Sequence, residues 1–228
     1  MMAAAARKVN WFAVWVSAAV VVAIVAVGGL VVVLNNAATG PGEAPQAANV
    51  NAETGAISVG DGENTLATYI DFMCPVCGDF EAAYGPEIDG LVEDGSTTLE
   101  IHPISILDRA SQGTEFSTRA ANAMYCVAVA DEDAALPFLQ AMFASQPAEA
   151  TAGLTDEEIL AIAASVGVDG VDACVTDQTY SRYVGSITQE TPVQPGAAGI
   201  ATPTLAVNGE VISNSEIPAP GQLATLFG

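Results

Sequence analysis

Thr68-Tyr69-Ile70-Asp71-Phe72-Met73-Cys74-Pro75-Val76-Cys77 decides how this chain is read. Thr65 to Phe72 reads as a strand, with Leu66, Thr68, Ile70 and Phe72 on one face and a less apolar set on the other. A helix is expected to start at about Pro75, because proline suits the first helical position. Pro86 is expected to kink or divide that helix before Leu91. Cys74 then occupies the N-terminal end of the helix, where unpaired backbone N–H groups and the macrodipole favour an anion. A thiolate there is reactive at neutral pH and a good leaving group in exchange; the thiol pKa of C-x-x-C sites runs from about 3.5 to 7. Cys77, one turn on, faces inward and can resolve a mixed disulfide, while Pro75 fixes the backbone between the two. The decapeptide therefore points to a thiol–disulfide redox site.

Two other readings of the same cysteines are weaker. Zinc would need Cys126, Cys174 or His102 as further ligands, and no second close ligand pair exists in the sequence. A purely structural Cys74–Cys77 bond would close so short a loop that it constrains little of the unfolded chain. Cys126 and Cys174 are of a different kind. Val171, Cys174 and Val175 share a helical face, and Cys126 adjoins Val127 on the buried side of its helix. In an exported protein two such thiols are expected to bond to each other. His102, the only histidine, has no serine or cysteine pattern tying it to a triad and reads as structural or surface.

Working outward, Ile57 to Val59 reads as a short strand, Gly60 to Asn64 as a turn, and Ser96 to Ile104 as a strand alternating Thr97, Leu99 and Ile101 with Thr98, Glu100 and His102. Residues 113 to 190 are mostly helical: Phe116, Ala120, Ala123, Val127 and Ala130 recur at helical spacing, and Thr155 with Glu158 forms a capping box. Thr204 to Val207, Asn208-Gly209 and Glu210 to Ser213 read as a hairpin, with a last helix over Gln222 to Phe227. This order suggests a central sheet with helices on its faces and a helical subdomain inserted midway, α/β or α+β in class.

Upstream, Trp11 to Leu34 is 24 residues without a charge. As a helix it spans roughly 36 Å, enough for the ~30 Å hydrocarbon layer. It is much longer than the roughly 7–15 residues of a signal-peptide apolar region, so an uncleaved anchor is expected. Arg7 and Lys8 precede it and no basic residue follows until Arg109, which places residues 1–10 in the cytoplasm and everything after Leu34 outside. Residues 35–55, small, polar and broken by Pro41 and Pro45, read as a flexible linker reaching roughly 25 Å. All 27 acidic residues follow residue 40, against only Arg109, Arg119 and Arg182. Such a surface repels nucleic acid and anionic lipid and keeps the domain soluble.

The decapeptide resembles the active-site strand and turn of the DsbA family of thiol:disulfide oxidoreductases. Gly199-Ile200-Ala201-Thr202-Pro203-Thr204, followed by Val207-Asn208-Gly209, resembles that family's cis-proline loop and hairpin. The resemblance covers about residues 57 to 227. It implies a thioredoxin-like α/β fold, a central mixed sheet flanked by helices, in residues 56–228, with its helical insertion at about 110–192. It further implies that Cys74 is the nucleophilic, solvent-facing cysteine and Cys77 its buried partner, supported by Pro75 and Val76. Pro203 would be the cis-proline packed against them, and Thr202 would offer backbone hydrogen bonds to an extended substrate. Two features depart from the family: the dipeptide between the cysteines is Pro-Val rather than Pro-His, and Thr68 stands where thioredoxin and DsbA carry a buried acid. Asp71, three residues before Cys74, is the nearest carboxylate; it reads as a surface acid at the strand end, with proton relay as the other role open to it.

The function expected is a single-pass, membrane-anchored dithiol oxidase acting on free thiols of exported proteins, with no cofactor and no metal. The resemblance implies a quinone-linked membrane partner of the DsbB or VKOR type that reoxidises the cysteine pair. A monomer is expected; an isomerase usually needs a dimerisation module, and the tether offers none. Two alternatives stay open: a reductase or isomerase of the same fold, and a non-catalytic binding or chaperone module that kept it.

Overall fold

The computed structural model describes residues 10–228, so the expected cytoplasmic segment, with Arg7 and Lys8, lies outside the described residues except for Asn10. The chain divides at Gly40–Pro41 into an apolar helix and one folded unit. The helix, α1, is Trp11–Thr39. Its Val14–Val32 stretch has a mean hydropathy of 2.6 and is nowhere buried, so it is long and apolar enough to cross a membrane.

The folded unit is built on five strands: β1 (Ile57–Val59), β2 (Asn64–Ile70), β3 (Thr97–Pro103), β4 (Thr204–Val207) and β5 (Glu210–Ile212), in the order β1-β3-β2-β4-β5. β2 and β3 are parallel, in register Leu66 to Leu99 and Thr68 to Ile101, and every other pairing is antiparallel. Parallel neighbours need a crossover, which here is the helix α2 (Pro75–Glu93). β2 stops at Ile70, two residues before the expected Phe72. The cause is local: Met73 N donates to the Asp71 carboxylate at 2.8 Å and Cys74 N to Asp71 O at 2.9 Å, which turns the chain toward α2.

Pro86 neither divides nor ends α2. It lies on the exposed side, while Cys77, Phe80 and Ile88 bury the opposite face, so packing holds the helix through the one bond that proline removes. The β4–β5 turn has positive φ at both Asn208 (49°) and Gly209 (82°), the conformation that makes Asn-Gly a tight hairpin turn. The final element, Leu223–Phe227, is a 3-10 helix rather than an α-helix. The Glu87 carboxylate ties down its approach, accepting from Gly221 N and Leu223 N at 2.7 and 2.6 Å.

Between β3 and β4 lie five helices: α3 (Phe116–Ala130), α4 (Ala135–Ala144), α5 (Asp156–Ser165), α6 (Asp172–Thr176) and α7 (Ser181–Gln189). α3 is buried from Ala120 to Ala128 without a break, as the central helix of such a cluster must be. A disulfide joins Cys126 on α3 to Cys174 on α6, with Cα atoms 5.9 Å apart. Arg119, 8% exposed, pairs with Asp156 at 2.7 Å and donates to Leu154 O and Thr114 O, so its buried charge is fully engaged.

Residues 41–55 are not a flexible linker. Pro45 and Val50 are buried, and Val50 forms a bridge with Ile57. Tyr183 Oη donates to Ala52 O at 3.0 Å, and Tyr125 Oη to Gly55 O at 2.7 Å. Composition suggested a solvated tether, but the partners that order it come from α3 and α7, more than 70 residues away in sequence for Tyr183 and 70 for Tyr125.

Candidate redox site

Cys74 is the N-cap of α2, in extended conformation, and no side chain caps the helix in its place. Its thiol is free, as is that of Cys77 one turn further. Pro75 and Val76 between them are exposed, Val76 at 57%, whereas Cys74 keeps 6% of its surface and Cys77 none. Facing them is the loop before β4, where the Thr202–Pro203 peptide bond is cis and Pro203 is buried. Cys74 Sγ lies 3.5 Å from Thr202 O. Strand-to-helix turn and proline loop thus meet across 128 residues of sequence.

The two thiols are driven apart electrostatically. The Cys74 thiol is pushed down to about 6, first by a hydrogen bond from Cys77, against the cost of burial, with Thr202 and the N–H groups of Cys77 and Val76 adding to the effect. The Cys77 thiol is pushed far up, first by burial and then by its Cys74 partner. One sulfur is therefore a thiolate at neutral pH, and the other holds its proton.

Both halves of the site are fixed by side-chain amides. Gln194 Nε2 donates to Pro203 O at 2.9 Å and to Thr204 Oγ1 at 2.8 Å, and Asn214 Nδ2 also donates to Pro203 O, at 3.1 Å. On the cysteine side Gln146 Nε2 donates to Cys74 O at 2.8 Å and to Phe72 O at 3.1 Å.

Asp71 is a correction to the sequence reading. It is fully buried rather than a surface acid. Its carboxylate accepts from Met73 N, Ser117 Oγ, Ile106 N and Leu107 N, all within 2.9 Å. Burial still pushes its pKa up to about 6. His102 is buried as well; its ring stacks on Tyr69 at 4.1 Å and its Nδ1 lies 3.2 Å from Thr54 O. Burial holds it down at about 4, so at neutral pH it is an uncharged structural group.

Glu81 was not singled out from sequence. It follows Cys77 by four residues, so both fall on one helix face, and it lines a small cavity with Thr68, Ile70, Ile88 and Leu99. Burial, with Asp89 nearby, pushes its carboxyl up to about 7. The i, i+4 spacing from Cys77 was the available signal. Among the described residues no group of three or more His, Cys, Asp or Glu side chains is placed to hold a metal ion.

The thioredoxin family model matches residues 54–220. The chain belongs to the thioredoxin family. Within that family it is DsbA-like. Reduced DsbA of Mycobacterium tuberculosis is 29% identical, with a TM-score of 0.62 over 75% of this chain and 90% of that one. The disulfide bond oxidoreductase DsbG of the same organism, also reduced, is 29% identical, with a TM-score of 0.61 over 84% and 89%. The serine/threonine-protein kinase PknE of M. tuberculosis is 36% identical over 116 residues, which are 47% of this chain. This chain spans only 20% of that kinase's length. The thioredoxin-like domain thus has the fold of DsbA-type thiol–disulfide oxidoreductases, with the helical insertion between β3 and β4.

Proposed function

We propose that this protein is a membrane-anchored dithiol oxidase working outside the cytoplasm. The observation that carries the reading is the stabilised Cys74 thiolate beside a Cys77 thiol held protonated. Stabilising the reduced pair in this way makes the corresponding disulfide the more oxidising partner. A substrate thiolate attacks Cys74 Sγ of the Cys74–Cys77 disulfide. That S–S bond breaks, and Cys77 leaves and takes a proton. The substrate's second thiolate then attacks its own sulfur in the mixed disulfide and Cys74 leaves as thiolate. The substrate loses two electrons and the cysteine pair gains them. Thr202, at the open side of Cys74, offers backbone groups to an extended substrate.

Reoxidation falls to a quinone-linked membrane protein of the DsbB or VKOR type, and the apolar helix α1 keeps the domain in that partner's neighbourhood. The basic residues Arg7 and Lys8 before α1 support an orientation with the domain outside. Equal identity to a DsbA and a DsbG makes the direction of electron flow the quantity to measure.

The test has two parts. A Cys77→Ala chain expressed in cells is expected to accumulate mixed disulfides through Cys74, and the native pair to have a reduction potential nearer DsbA's, about −120 mV, than thioredoxin's, about −270 mV. A potential near thioredoxin's, with no oxidation of a reduced substrate, overturns the oxidase direction. Absence of any trapped mixed disulfide overturns the redox reading itself.

A further inference from the structure

The helical insertion reaches the redox turn through Ser117 of α3, which meets Asp71, and through the end of α4. After α4 ends at Ala144, Gln146 lies against the start of α2, 72 residues from Cys74 in sequence. Its side-chain amide meets two carbonyls, those of Phe72 and Cys74, which flank Met73 at the turn that carries the Cys74 sulfur. Only the NH2 end of an amide can donate to both, so the contact fixes the amide's orientation. Beside it the Phe72 and Phe143 rings pack with centroids 5.1 Å apart, so α4 and the turn meet through an apolar as well as a polar contact. Gly78, the residue after Cys77, completes the fit: a Cβ there would overlap Gln146 Oε1.

Cys74 O already accepts from Cys77 N at 3.0 Å and Gly78 N at 3.2 Å in the first turn of α2. One of these, the Cys77 N–H, also helps hold the Cys74 thiolate, together with the Val76 N–H. A donor on Cys74 O and Phe72 O therefore does two things. It fixes the backbone that aims the Cys77 and Val76 N–H groups at Sγ, and it partly neutralises the carbonyl dipoles on either side of Met73.

We infer that Gln146 is a positioning residue for Cys74: through the Phe72 and Cys74 carbonyls the helical insertion sets the thiolate stability, and hence the redox poise, of the Cys74–Cys77 pair. The inference rests on Cys74 being the sulfur that forms the mixed disulfide with substrate, but not on the direction of electron flow. The Cys74 pKa therefore tests it even where the oxidase reading fails.

Two variants reach the contact from opposite sides. Gln146→Leu removes the donor at similar volume. Gly78→Ala leaves Gln146 in the sequence but displaces its amide, and alanine is the better helix former, so α2 is retained. Cys74 pKa, read from thiolate ultraviolet absorbance, is expected to rise by about one unit in each variant, and the thiolate-stabilised reduced state to weaken by up to about tenfold, which is about 30 mV toward a more reducing potential. The double variant is expected to show no further shift, because both changes break one contact. An unchanged Cys74 pKa and potential with a lowered Tm would make Gln146 a purely structural residue. Additive shifts in the double variant would separate Gly78 from Gln146. Either result overturns the inference.

Discussion

Cys77 leaves the disulfide as an anion in a site that holds none of its surface in water, and its thiol pKa is pushed far up by that burial. Proton delivery is therefore part of the reaction. Two carboxyls are near in sequence, the buried Asp71 and the half-buried Glu81. Asp71 is committed to four donors that fix the turn and the 106–107 loop, so it is a structural group first. Glu81, raised to about 7, carries a proton through much of the neutral range. Exchange of a proton between Glu81 and Cys77, four residues apart on α2, is a prediction that the pH dependence of the reaction tests. The sign follows from the raised value: in this role Glu81 would be protonated below pH 7 and protonate a leaving Cys77 thiolate, and above pH 7 its carboxylate would accept the Cys77 proton. Resolution of a preformed Cys74–glutathione mixed disulfide needs the second step. Its rate is expected to rise through about pH 7 and flatten. In Glu81→Gln the inflection should vanish and the rate above pH 7 should fall on the order of 10²-fold. Superimposable pH profiles for the two proteins would return the role to Asp71 or to solvent.

The elements of the insertion depend on a covalent tie. The Cys126–Cys174 bond joins α3 to the five-residue α6 across 48 residues. α6 is too short to be stable as an isolated helix. Loop closure of this length is worth on the order of 4 kcal/mol in the unfolded chain, an upper figure because native strain is left out. The Cys126→Ala, Cys174→Ala double variant is expected to lose about 2–4 kcal/mol in urea unfolding while its Cys74 pKa stays unchanged. A loss under about 1 kcal/mol would mean that packing of Val171 and Val175 alone holds α6. A shift in Cys74 pKa would show that the disulfide speaks to the redox turn.

For the whole molecule, the segment 41–55 decides where the folded unit begins. It covers apolar surface with Pro45 and Val50 and supplies acceptors to two otherwise buried tyrosine hydroxyls and to His102. Chains beginning at Pro41 are expected to unfold in denaturant like the full domain. Chains beginning at Ala56 should be less stable by about 3–5 kcal/mol, from the lost Val50 burial and the unpaired Tyr125 hydroxyl. Equal unfolding midpoints for the two truncations would show that the segment merely lies on the surface.

The sequence alone determined what local physics determines. Alternation over Leu66, Thr68 and Ile70, proline at the first turn of α2 and the cysteine spacing specify strand, turn, helix and a thiolate at the helix end, because each acts within a few residues. Asn208-Gly209 and the Thr155–Glu158 capping box are legible for the same reason. The apolar run at the N-terminus needs only its length and lack of charge. Tertiary structure decided the rest. Asp71 read as a surface acid because its donors at Ile106, Leu107 and Ser117 are 35 to 46 residues away. Residues 41–55 read as a tether because proline, glycine and alanine carry no periodic signal, and the tyrosines that bury them sit on α3 and α7. Gln146 and Gln194 had no signal at all, since an amide's role is set by the carbonyls it meets. Cys74 to Cys77 is thus specified locally as chemistry, but the amides that support it and the proline loop that faces it are set by long-range contact.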